Sequence, residues 1–385
     1  MISTSRRSAV EPFHAMDVLA EATRRRQAGH PVISMAVGQP GAPAPSAALK
    51  AASEALAHGR IGYTDALGTR ELREGLAAHY RARHRVEIDP ARIAITTGSS
   101  AGFNLAFLSL FDDGDAVAIA RPGYPAYRNI LKALGLRVVE VPVNAATAFT
   151  LTPESLEAAQ KAEGVRLKGV LLASPANPTG TVTGRDGLKA LVDYCAGQGI
   201  TLISDEIYHG LTFSGDETSA LELTDEVVVI NSFSKYYCMT GWRIGWMVLP
   251  DHLVRPVECV AQSLYISPPE LSQIAATAAL GASAELDAYK EVCRANRDFL
   301  QVRLPELGFK LLSPMDGAFY AYVDVGAFTN DSMEFARRML SETNVAATPG
   351  LDFDPVEGNR AMRFSYAGTM AEMVEATDRI GRWLG

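Results

Sequence analysis

The sequence predicts an α/β fold, in which a mostly parallel sheet is covered by helices and a smaller α+β domain follows. Two observations support this prediction. From about residue 47 to 250, short apolar segments alternate with amphipathic ones. After about residue 270 the alternation gives way to a long helical region, a strand pair and a final strand and helix. Buried parallel strands are continuous apolar runs, and they need helices on both faces.

The individual elements follow from the spacing of apolar residues, which recur every three or four positions in helices and run on without interruption in buried strands. The predicted helices of the first part are 11–30, 46–58, 69–84, 99–111, 124–134, 153–161 and 184–197. The predicted strands are 92–96, 116–120, 137–141, 168–173, 200–204, 226–231 and 244–249. The second part is predicted to contain a helical region over 270–304, strands 309–313 and 317–323, a helix over 331–342, and a strand and helix within 361–384. We therefore predict a large domain over 46–280 and a small domain formed by 1–45 and 281–385.

Composition and charge exclude several classes of protein. Of the 385 residues, 48% are hydrophobic and 21% are charged, which is typical of globular rather than disordered chains. The net charge is −8 and the basic residues do not cluster, so no nucleic-acid partner is expected. The longest uncharged stretch, 93–111, is interrupted by polar residues, and no membrane association is expected.

Cysteine usage adds a further constraint. The four cysteines, Cys195, Cys238, Cys259 and Cys293, are widely spaced and include no Cys-x-x-Cys pair. This pattern argues against a disulfide scaffold and against a thiolate metal site. We therefore expect no metal and a reducing, cytoplasmic location.

Polar side chains follow three consecutive predicted strands at the points where those strands end. Asn177 comes after 168–173, Asp205 after 200–204, and Lys235 after 226–231. Because ligands of open α/β sheets bind beyond the carboxyl ends of the strands, these groups are expected to meet at one edge. Taken singly, they are explained by turn chemistry, by helix capping and by a solvated loop. Their occurrence together within apolar surroundings favours a ligand site.

A second cluster has the features of an anion site. The predicted strand 92–96 is followed by Gly98, Ser99 and Ser100, where a helix begins. The free N–H groups of a helix N-terminus favour a phosphate, although an ordinary serine cap would explain Ser99 equally well. The glycine patterns of dinucleotide and nucleoside triphosphate sites do not occur. Further donors are available from Ser232, Ser234 and Arg243.

One chemistry needs a lysine, a carboxylate and a phosphate anchor together, namely that of pyridoxal phosphate. The lysine amine forms a Schiff base with the cofactor aldehyde. A carboxylate paired with the pyridine nitrogen keeps that nitrogen protonated, so that the ring withdraws electrons. The two clusters therefore predict a site for pyridoxal 5'-phosphate.

Four motifs, in this order, resemble those of the fold type I aminotransferases of class I/II, which are related to aspartate aminotransferases. The motifs are Ser174-Pro175-Ala176-Asn177-Pro178-Thr179-Gly180, Ser204-Asp205-Glu206-Ile207-Tyr208, Ser232-Phe233-Ser234-Lys235 and Gly241-Trp242-Arg243-Ile244-Gly245. The resemblance extends from about Val37 to Ala367. It implies an enzyme that moves an amino group from an L-amino acid to a 2-keto acid by a ping-pong mechanism, with the cofactor alternating between pyridoxal and pyridoxamine forms.

The resemblance also implies roles for individual residues. Lys235 would carry the cofactor and, once released by substrate, move the substrate Cα proton, while Asp205 would pair with the pyridine nitrogen. Asn177 and Tyr208 would contact the ring oxygen, and Tyr124 would stack on the ring. The implied phosphate ligands are Ser99, Ser100, Ser232, Ser234 and Arg243.

For the substrate, the resemblance implies that Arg363 binds the α-carboxylate with its planar fork. Asn177 and the segment around Gly38 would lie against the same carboxylate. Tyr63 is similar to a tyrosine that reaches the phosphate of the neighbouring subunit. A homodimer with shared sites is therefore implied.

Two departures from the family pattern concern substrate choice. Ser100 stands where one dicarboxylate-specific subgroup has a lysine. The segment 345–355 carries Asp352 and Asp354, where many relatives have a loop resembling Gly-Ser-x-Phe-Gly. Both departures argue against aspartate specificity, although an arginine from another segment would also serve a dicarboxylate. We expect 2-oxoglutarate or pyruvate as the acceptor and leave the donor open.

Three alternatives account for some of these observations. A pyridoxal-phosphate lyase acting at Cβ or Cγ would use the same Lys235 and Asp205. A regulatory protein that binds the cofactor as a ligand would normally add a DNA-binding domain, whereas the enzyme-like region begins here at about Val37. A non-catalytic α/β binding module would require the strand-end residues to coincide by chance.

Overall fold

The computed structural model describes residues 2–385. Its strands are β1 (Ile33–Ser34), β2 (Ile93–Thr96), β3 (Ala116–Arg121), β4 (Arg137–Pro142), β5 (Leu167–Ala173), β6 (Thr201–Asp205), β7 (Val228–Ser232), β8 (Gly245–Val248), β9 (Lys310–Leu311), β10 (Tyr320–Asp324), β11 (Val345–Ala346), β12 (Thr348–Pro349) and β13 (Ala361–Ser365). Its α-helices are α1 (His14–Gln27), α2 (Ser46–His58), α3 (Arg70–His84), α4 (Ser99–Leu110), α5 (Pro125–Ala133), α6 (Pro153–Glu163), α7 (Arg185–Gln198), α8 (Asp251–Leu264), α9 (Glu270–Ala279), α10 (Ser283–Glu306), α11 (Ser332–Thr343) and α12 (Met370–Leu384).

Seven strands form the central sheet, in the order β2-β8-β7-β6-β5-β3-β4. Every neighbouring pair is parallel except those of β8, which is antiparallel to both β2 and β7. The mostly parallel sheet expected from the sequence is therefore confirmed. Each strand of this sheet begins and ends within two residues of its predicted bounds, because a continuous apolar run is a strong local signal.

Helices cover both faces of this sheet, since neighbouring residues of a strand enter different hydrophobic clusters. Leu171 belongs to a cluster that contains Phe103 and Phe107 of α4. The next residue, Leu172, belongs to a cluster that contains Leu191 of α7. Burying a leucine side chain contributes roughly 2 kcal/mol, so burial on both faces explains why these strands are apolar throughout.

A second sheet lies in the C-terminal part of the chain, with antiparallel strands in the order β12-β13-β10-β9. β1 pairs in parallel with β11, and Ile33 lies opposite Val345, so the N-terminal segment joins this part of the fold. The strands and helices after residue 270 have the expected α+β order. The domain boundaries at residues 45 and 280 stay a prediction.

Two features differ from the sequence-based expectation. The helical region predicted over 270–304 is divided into α9 and α10, because the chain turns around Gly281, a residue of low helix propensity. Helix α8 has no counterpart among the predicted elements, since Pro256 lies inside it and proline disfavours a helix interior. Val257 and Ala261 are buried in the same hydrophobic cluster as residues of α4, and the free energy gained by this burial outweighs the cost of a proline inside the helix.

The helices and cysteines bear on two further expectations. Within residues 2–385, no helix combines the length and the apolar character that crossing a membrane requires.

All four cysteines are free thiols, and three of them are buried. Burial raises the pKa of Cys195 to about 12, so this thiol is unreactive at neutral pH.

Candidate active site

The carboxyl ends of β5, β6 and β7 meet at one edge of the central sheet, because these strands are adjacent and parallel. Asn177 follows β5, Asp205 ends β6 and Lys235 follows β7. The three side chains line one cavity of about 190 Å³. Other predicted site residues that line it are Gly38, Ser99, Ser100, Tyr124, Tyr208, Ser234, Arg243 and Arg363. A cavity of about 220 Å³ beside Cys195 contains none of these residues.

The Lys235 side chain reaches into this cavity, where Nζ donates a hydrogen bond of 2.6 Å to the backbone carbonyl of Gly38. The ammonium also lies 5.9 Å from the centroid of the Tyr208 ring. Burial, together with the positive charges of Arg363 and Arg243, lowers the pKa of Lys235 to about 8. A large fraction of this amine is therefore neutral and nucleophilic near pH 8.

The Asp205 carboxyl group is 2% exposed and accepts two hydrogen bonds. The Tyr127 hydroxyl donates to Oδ2, and the Ile207 amide donates to Oδ1 at 3.1 Å. Burial raises the pKa of Asp205 to about 6, because the charged form loses its hydration. A cationic ligand group in the cavity would therefore stabilise the carboxylate. Sequence reasoning misses Tyr127, although it lies in the first turn of α5, three residues after the N-cap residue Tyr124.

Arg363 lies on β13 and is 3% exposed. Its guanidinium is held between the rings of Tyr320 and Phe353, at 4.3 and 4.6 Å from their centroids. Nη1 donates to Asn177 Oδ1 at 2.8 Å, and Nη2 donates to the Ala36 carbonyl. Nε is buried and has no hydrogen-bond partner among the described residues. Two donors of this rigid, buried cation, Nε and the second N–H of Nη1, are thus without a partner among the described residues and left for an anionic ligand.

Tyr208 shares a hydrogen bond of 2.7 Å with Tyr320, a residue that sequence reasoning also misses. Both rings are buried, and burial raises the pKa of both hydroxyls. A Cβ at Gly38 would collide with the Tyr320 hydroxyl, so only glycine allows the backbone of this segment to come so close. The N-terminal segment and β10 therefore meet at the cavity.

The predicted anion site lies where β2 leads into α4. The first-turn amides at Ser99 and Ser100 lie at the helix N-terminus, where N–H groups lack intrahelical partners. Arg243 approaches this turn with φ of 51°, and its Nη1 donates to the Thr240 carbonyl at 3.0 Å. A Cβ at Gly98 would lie 2.5 Å from Arg243 Nη2, so the approach requires a glycine. Together the amides and the guanidinium favour an anion.

Of the predicted phosphate ligands Ser232 and Ser234, only Ser234 lines the cavity, and the predicted interface residue Tyr63 lies outside it. Ser234 lines the cavity, whereas Ser232 is buried behind it. The Ser232 hydroxyl accepts from the Ser234 amide at 3.0 Å and lies 2.8 Å from Ser234 Oγ. Ser232 therefore orients Ser234 and does not itself line the cavity. Tyr63 is 83% exposed on the surface of this chain, outside the cavity.

Apolar residues of the N-terminal segment also line the cavity, and sequence reasoning misses them. Phe13, Ala15, Met16 and Val37 form what we call the apolar wall. The Phe13 ring packs edge-on against Tyr124, with 5.7 Å between the ring centroids. The available signal in the sequence is the placement of Phe13 and Met16 near the start of the predicted helix 11–30.

A cluster of the buried His84 and His209 with the half-buried Glu217 lies outside this cavity. Both carboxylate oxygens of Glu217 already accept hydrogen bonds: Arg83 Nε donates to Oε1 at 2.8 Å, and the Gly210 amide donates to Oε2 at 2.7 Å. Because these donors satisfy the carboxylate, we assign the cluster a structural role.

Comparison with known proteins agrees with this geometry. Residues 30–380 match the family model described as aminotransferase class I and II. The chain is 46% identical over 382 residues to valine–pyruvate aminotransferase of Mycobacterium tuberculosis, covering 98% of this chain and 97% of that protein. It is 33% identical over 392 residues to aspartate/prephenate aminotransferase of Thermus thermophilus, covering both chains completely.

Solved structures show the same relationship. A crystal structure of an aminotransferase from Mycobacterium tuberculosis matches with a TM-score of 0.96 and 45% identity, over 100% of this chain and 99% of that one. Aspartate aminotransferase from Thermus thermophilus with maleate matches with a TM-score of 0.92 and 32% identity, over 99% and 100%. These relatives are aminotransferases, which favours amino-group transfer over the lyase and the non-enzymatic alternatives. The chain therefore belongs to the class I and II aminotransferases and is an aminotransferase.

Proposed function

We propose that this aminotransferase moves the amino group of an L-amino acid to a 2-keto acid with pyridoxal 5'-phosphate held in the cavity at the ends of β5, β6 and β7. The observation that carries this proposal is the meeting of Lys235, Asp205 and Arg363 in one cavity. An amine of lowered pKa, a buried carboxylate and a buried guanidinium match a carbonyl cofactor, its ring nitrogen and a substrate carboxylate.

The phosphate end of the cavity fits such a cofactor. The amides of Ser99 and Ser100, the Ser234 hydroxyl and the Arg243 guanidinium supply donors for a phosphate. The lack of a side chain at Gly98 leaves room for Arg243 to lie against the helix turn. Ser232 supports this end through Ser234, since it contacts that hydroxyl from behind.

The ring end of the cavity fits as well. Asp205 would pair with the pyridine nitrogen, because a protonated nitrogen would return the electrostatic stabilisation that burial removes from the carboxylate. Tyr124 would cover a face of the bound ring, and Asn177 and Tyr208 would supply polar atoms for the ring oxygen. Lys235 Nζ would be the point of covalent attachment.

Bound pyridoxal phosphate supplies an electron sink that stabilises negative charge developing at the substrate Cα. Once the substrate amine has displaced it, Lys235 Nζ would take the proton from Cα and pass it to the cofactor carbon that carried the aldehyde, because an amine with a pKa of about 8 exchanges protons readily near neutral pH. Arg363 would hold the α-carboxylate, for which Nε and the second N–H of Nη1 are the available donors. The N-terminal segment at Gly38 covers the site and limits access of water.

The apolar wall favours donors with small apolar side chains. Phe13, Ala15 and Met16 offer no charged partner, and Ser100 is a poor partner for a distal carboxylate. The relative from Mycobacterium tuberculosis is named valine–pyruvate aminotransferase, which agrees with an apolar donor and with pyruvate as an acceptor. We therefore propose that L-valine donates to pyruvate or 2-oxoglutarate and that L-alanine donates to 2-oxoglutarate.

We also propose that the active form is a homodimer. Several large apolar side chains are exposed near Tyr63, among them Ile61, which is 41% exposed, and Ile266, which is 54% exposed. The two segments that carry them are joined where the Thr64 amide donates to Ser267 Oγ at 3.3 Å. Burial of this patch against a second copy would remove it from water. The cytoplasmic location stays a prediction.

The experiment combines cofactor detection with donor screening. The purified protein is loaded with pyridoxal phosphate, reduced with borohydride and digested, and we expect the pyridoxyl group on the peptide that contains Lys235. Initial rates with a panel of L-amino acids and either pyruvate or 2-oxoglutarate should show transfer that Lys235→Ala abolishes. Release of ammonia without any keto-acid acceptor, or failure to transfer from every donor, would contradict the proposal.

A further inference from the structure

The first turn of α1 is capped by a residue from a distant part of the chain. Its own N-cap residue, Phe13, has an apolar side chain that makes no capping bond. Asp352, 338 positions from His14, takes this role: Oδ1 accepts from the His14 amide at 2.9 Å, and Oδ2 accepts from the Ala15 amide at 3.0 Å. A carboxylate at a helix N-terminus satisfies free N–H groups and interacts favourably with the helix dipole. Asp352 is 1% exposed, so water screens this interaction little.

The capped turn supplies most of the apolar wall. Phe13 and Ala15 flank the first capped amide, and Met16 follows directly. The other end of α1 is fixed separately, since Arg25 Nη2 donates to Asn344 Oδ1 at 3.0 Å. Just ahead of the helix, the Glu11 carbonyl accepts from Asn129 Nδ2 at 2.9 Å. Asp352 is thus the buried charge that fixes the turn facing the cavity.

The loop that carries Asp352 is itself held firmly. The backbone carbonyl of Asp352 accepts from Arg128 Nη2 at 3.3 Å, and the Phe353 carbonyl accepts from the Gly123 amide at 3.1 Å. The Phe353 ring packs on the Arg363 guanidinium at 4.6 Å. One loop therefore supports both the proposed carboxylate-binding arginine and the apolar wall.

We propose that Asp352 is a positioning residue for donor selection: by capping α1 it holds Phe13 and Met16 against the cavity and so selects donors with small apolar side chains. This inference rests on the proposed function, because the donor must bind in this cavity. A charged donor side chain placed against these residues would lose hydration without gaining a partner. A loosened turn would admit water and reduce the discrimination.

The test compares Asp352→Ala and Asp352→Asn with a matched control, Asp331→Ala, in the enzyme loaded with pyridoxal phosphate. Asp331 caps α11 by the same kind of bond, accepting from the Glu334 amide at 3.0 Å, but it does not line the cavity. We expect Asp352→Ala to raise the KM for L-alanine and L-valine roughly tenfold, the scale of a lost helix cap, with a smaller change in kcat. Asp352→Asn retains an acceptor and should restore part of the affinity, while Asp331→Ala should leave both KM values unchanged.

A second variant separates positioning from general loss of stability. Phe13→Ala removes part of the wall but keeps the cap, and it should lower the ratio of kcat/KM for L-valine over L-serine as Asp352→Ala does. Hydrogen exchange of the first-turn amides of α1 should accelerate in Asp352→Ala and stay slow in Phe13→Ala.

The outcomes decide whether Asp352 positions the apolar wall for donor selection or only stabilises the fold. Faster exchange in Asp352→Ala with unchanged KM values and an unchanged donor ratio would overturn the positioning role. If Asp352→Ala does not fold, Asp352→Asn and Phe13→Ala carry the same comparison. Failure of the proposed function would look different, because the unmodified enzyme would then transfer no amino group from any donor.

Discussion

Lys235 Nζ donates a hydrogen bond of 2.6 Å to the carbonyl of Gly38, although the two residues lie 197 positions apart. Gly38 in turn lies against the Tyr320 hydroxyl, which shares a hydrogen bond with Tyr208. The proposed nucleophilic amine therefore contacts the N-terminal segment directly and is linked through Gly38 to the C-terminal sheet. This arrangement explains why the amine is desolvated and why its pKa falls.

The lowered pKa of Lys235 has a kinetic consequence. We expect cofactor-free protein to capture pyridoxal phosphate covalently at a rate that rises with pH through about 8 and then levels off, because only the neutral amine is nucleophilic. The rate is measured by absorbance after rapid mixing, from pH 6 to 10. A profile that keeps rising towards the ordinary lysine value of 10.5 would contradict this expectation.

We expect Asp205 to lower the free energy of unfolding of the cofactor-free protein at neutral pH. Burial raises its pKa from 3.8 to about 6, so between these values the folded state binds more protons than the unfolded state and the free energy of unfolding falls as pH rises. We expect Asp205→Asn to be more stable than the unmodified protein by about 2–3 kcal/mol at pH 7, with the difference vanishing near pH 3, below both pKa values. Urea unfolding at both pH values measures it.

The same variant tests the role proposed for the carboxylate in the reaction. Asn cannot hold a proton on the pyridine nitrogen by charge, so Asp205→Asn should lose transaminase activity by roughly 100-fold or more. A variant that is less stable at pH 7 but fully active would contradict both expectations.

Arg363 should be irreplaceable by lysine. Arg363→Lys keeps the positive charge but loses the planar fork and its stacking between Tyr320 and Phe353. We expect kcat/KM for L-alanine to fall by roughly 100-fold, mainly through KM, while the affinity for pyridoxal phosphate stays the same. Steady-state kinetics and cofactor titration separate the two effects, and an unchanged KM would argue against carboxylate binding by this residue.

Gly98 should be required for phosphate binding. Gly98→Ala places a methyl group 2.5 Å from Arg243 Nη2, at a backbone φ of +77° that alanine rarely adopts. We expect the dissociation constant for pyridoxal phosphate to rise roughly 10- to 100-fold, as measured by fluorescence titration. Gly197→Ala is the control, because a Cβ there has no neighbour within 4 Å and the position lies in α7. Equal affinities of the two variants would contradict a phosphate site at Gly98.

Tyr63 tests the proposed dimer. Its side chain is 83% exposed in a single chain, so Tyr63→Phe should leave the stability of the fold unchanged. If the hydroxyl reaches a phosphate in the second subunit, this variant should weaken pyridoxal phosphate binding roughly tenfold or more, the scale of one lost hydrogen bond to a charged group. Cofactor titration with sedimentation analysis measures both properties, and a fully active monomer would contradict the shared site.

Much of this fold could be predicted from the sequence, because the apolar patterns that indicate strands and helices are local. The strands of the central sheet are continuous apolar runs, and their carboxyl ends must meet once the strands are parallel neighbours. This is why Asn177, Asp205 and Lys235 lie together as expected. The division between α9 and α10 follows instead from a turn around Gly281, which interrupts the helical pattern. Helix α8 forms in spite of its proline because its apolar residues pack against α4.

The partners of the site residues were decided by the tertiary structure alone. Tyr127 meets Asp205 from 78 positions away, Tyr320 meets Tyr208 from 112, and Asp352 caps α1 from 338. Apolar periodicity reports that a segment is buried, but it carries no information about which distant segment covers it. Sequence by itself therefore determined the sheet, its edge and the groups presented there. The burial that shifts their pKa values, and the apolar wall beside them, exist only once the chain has folded.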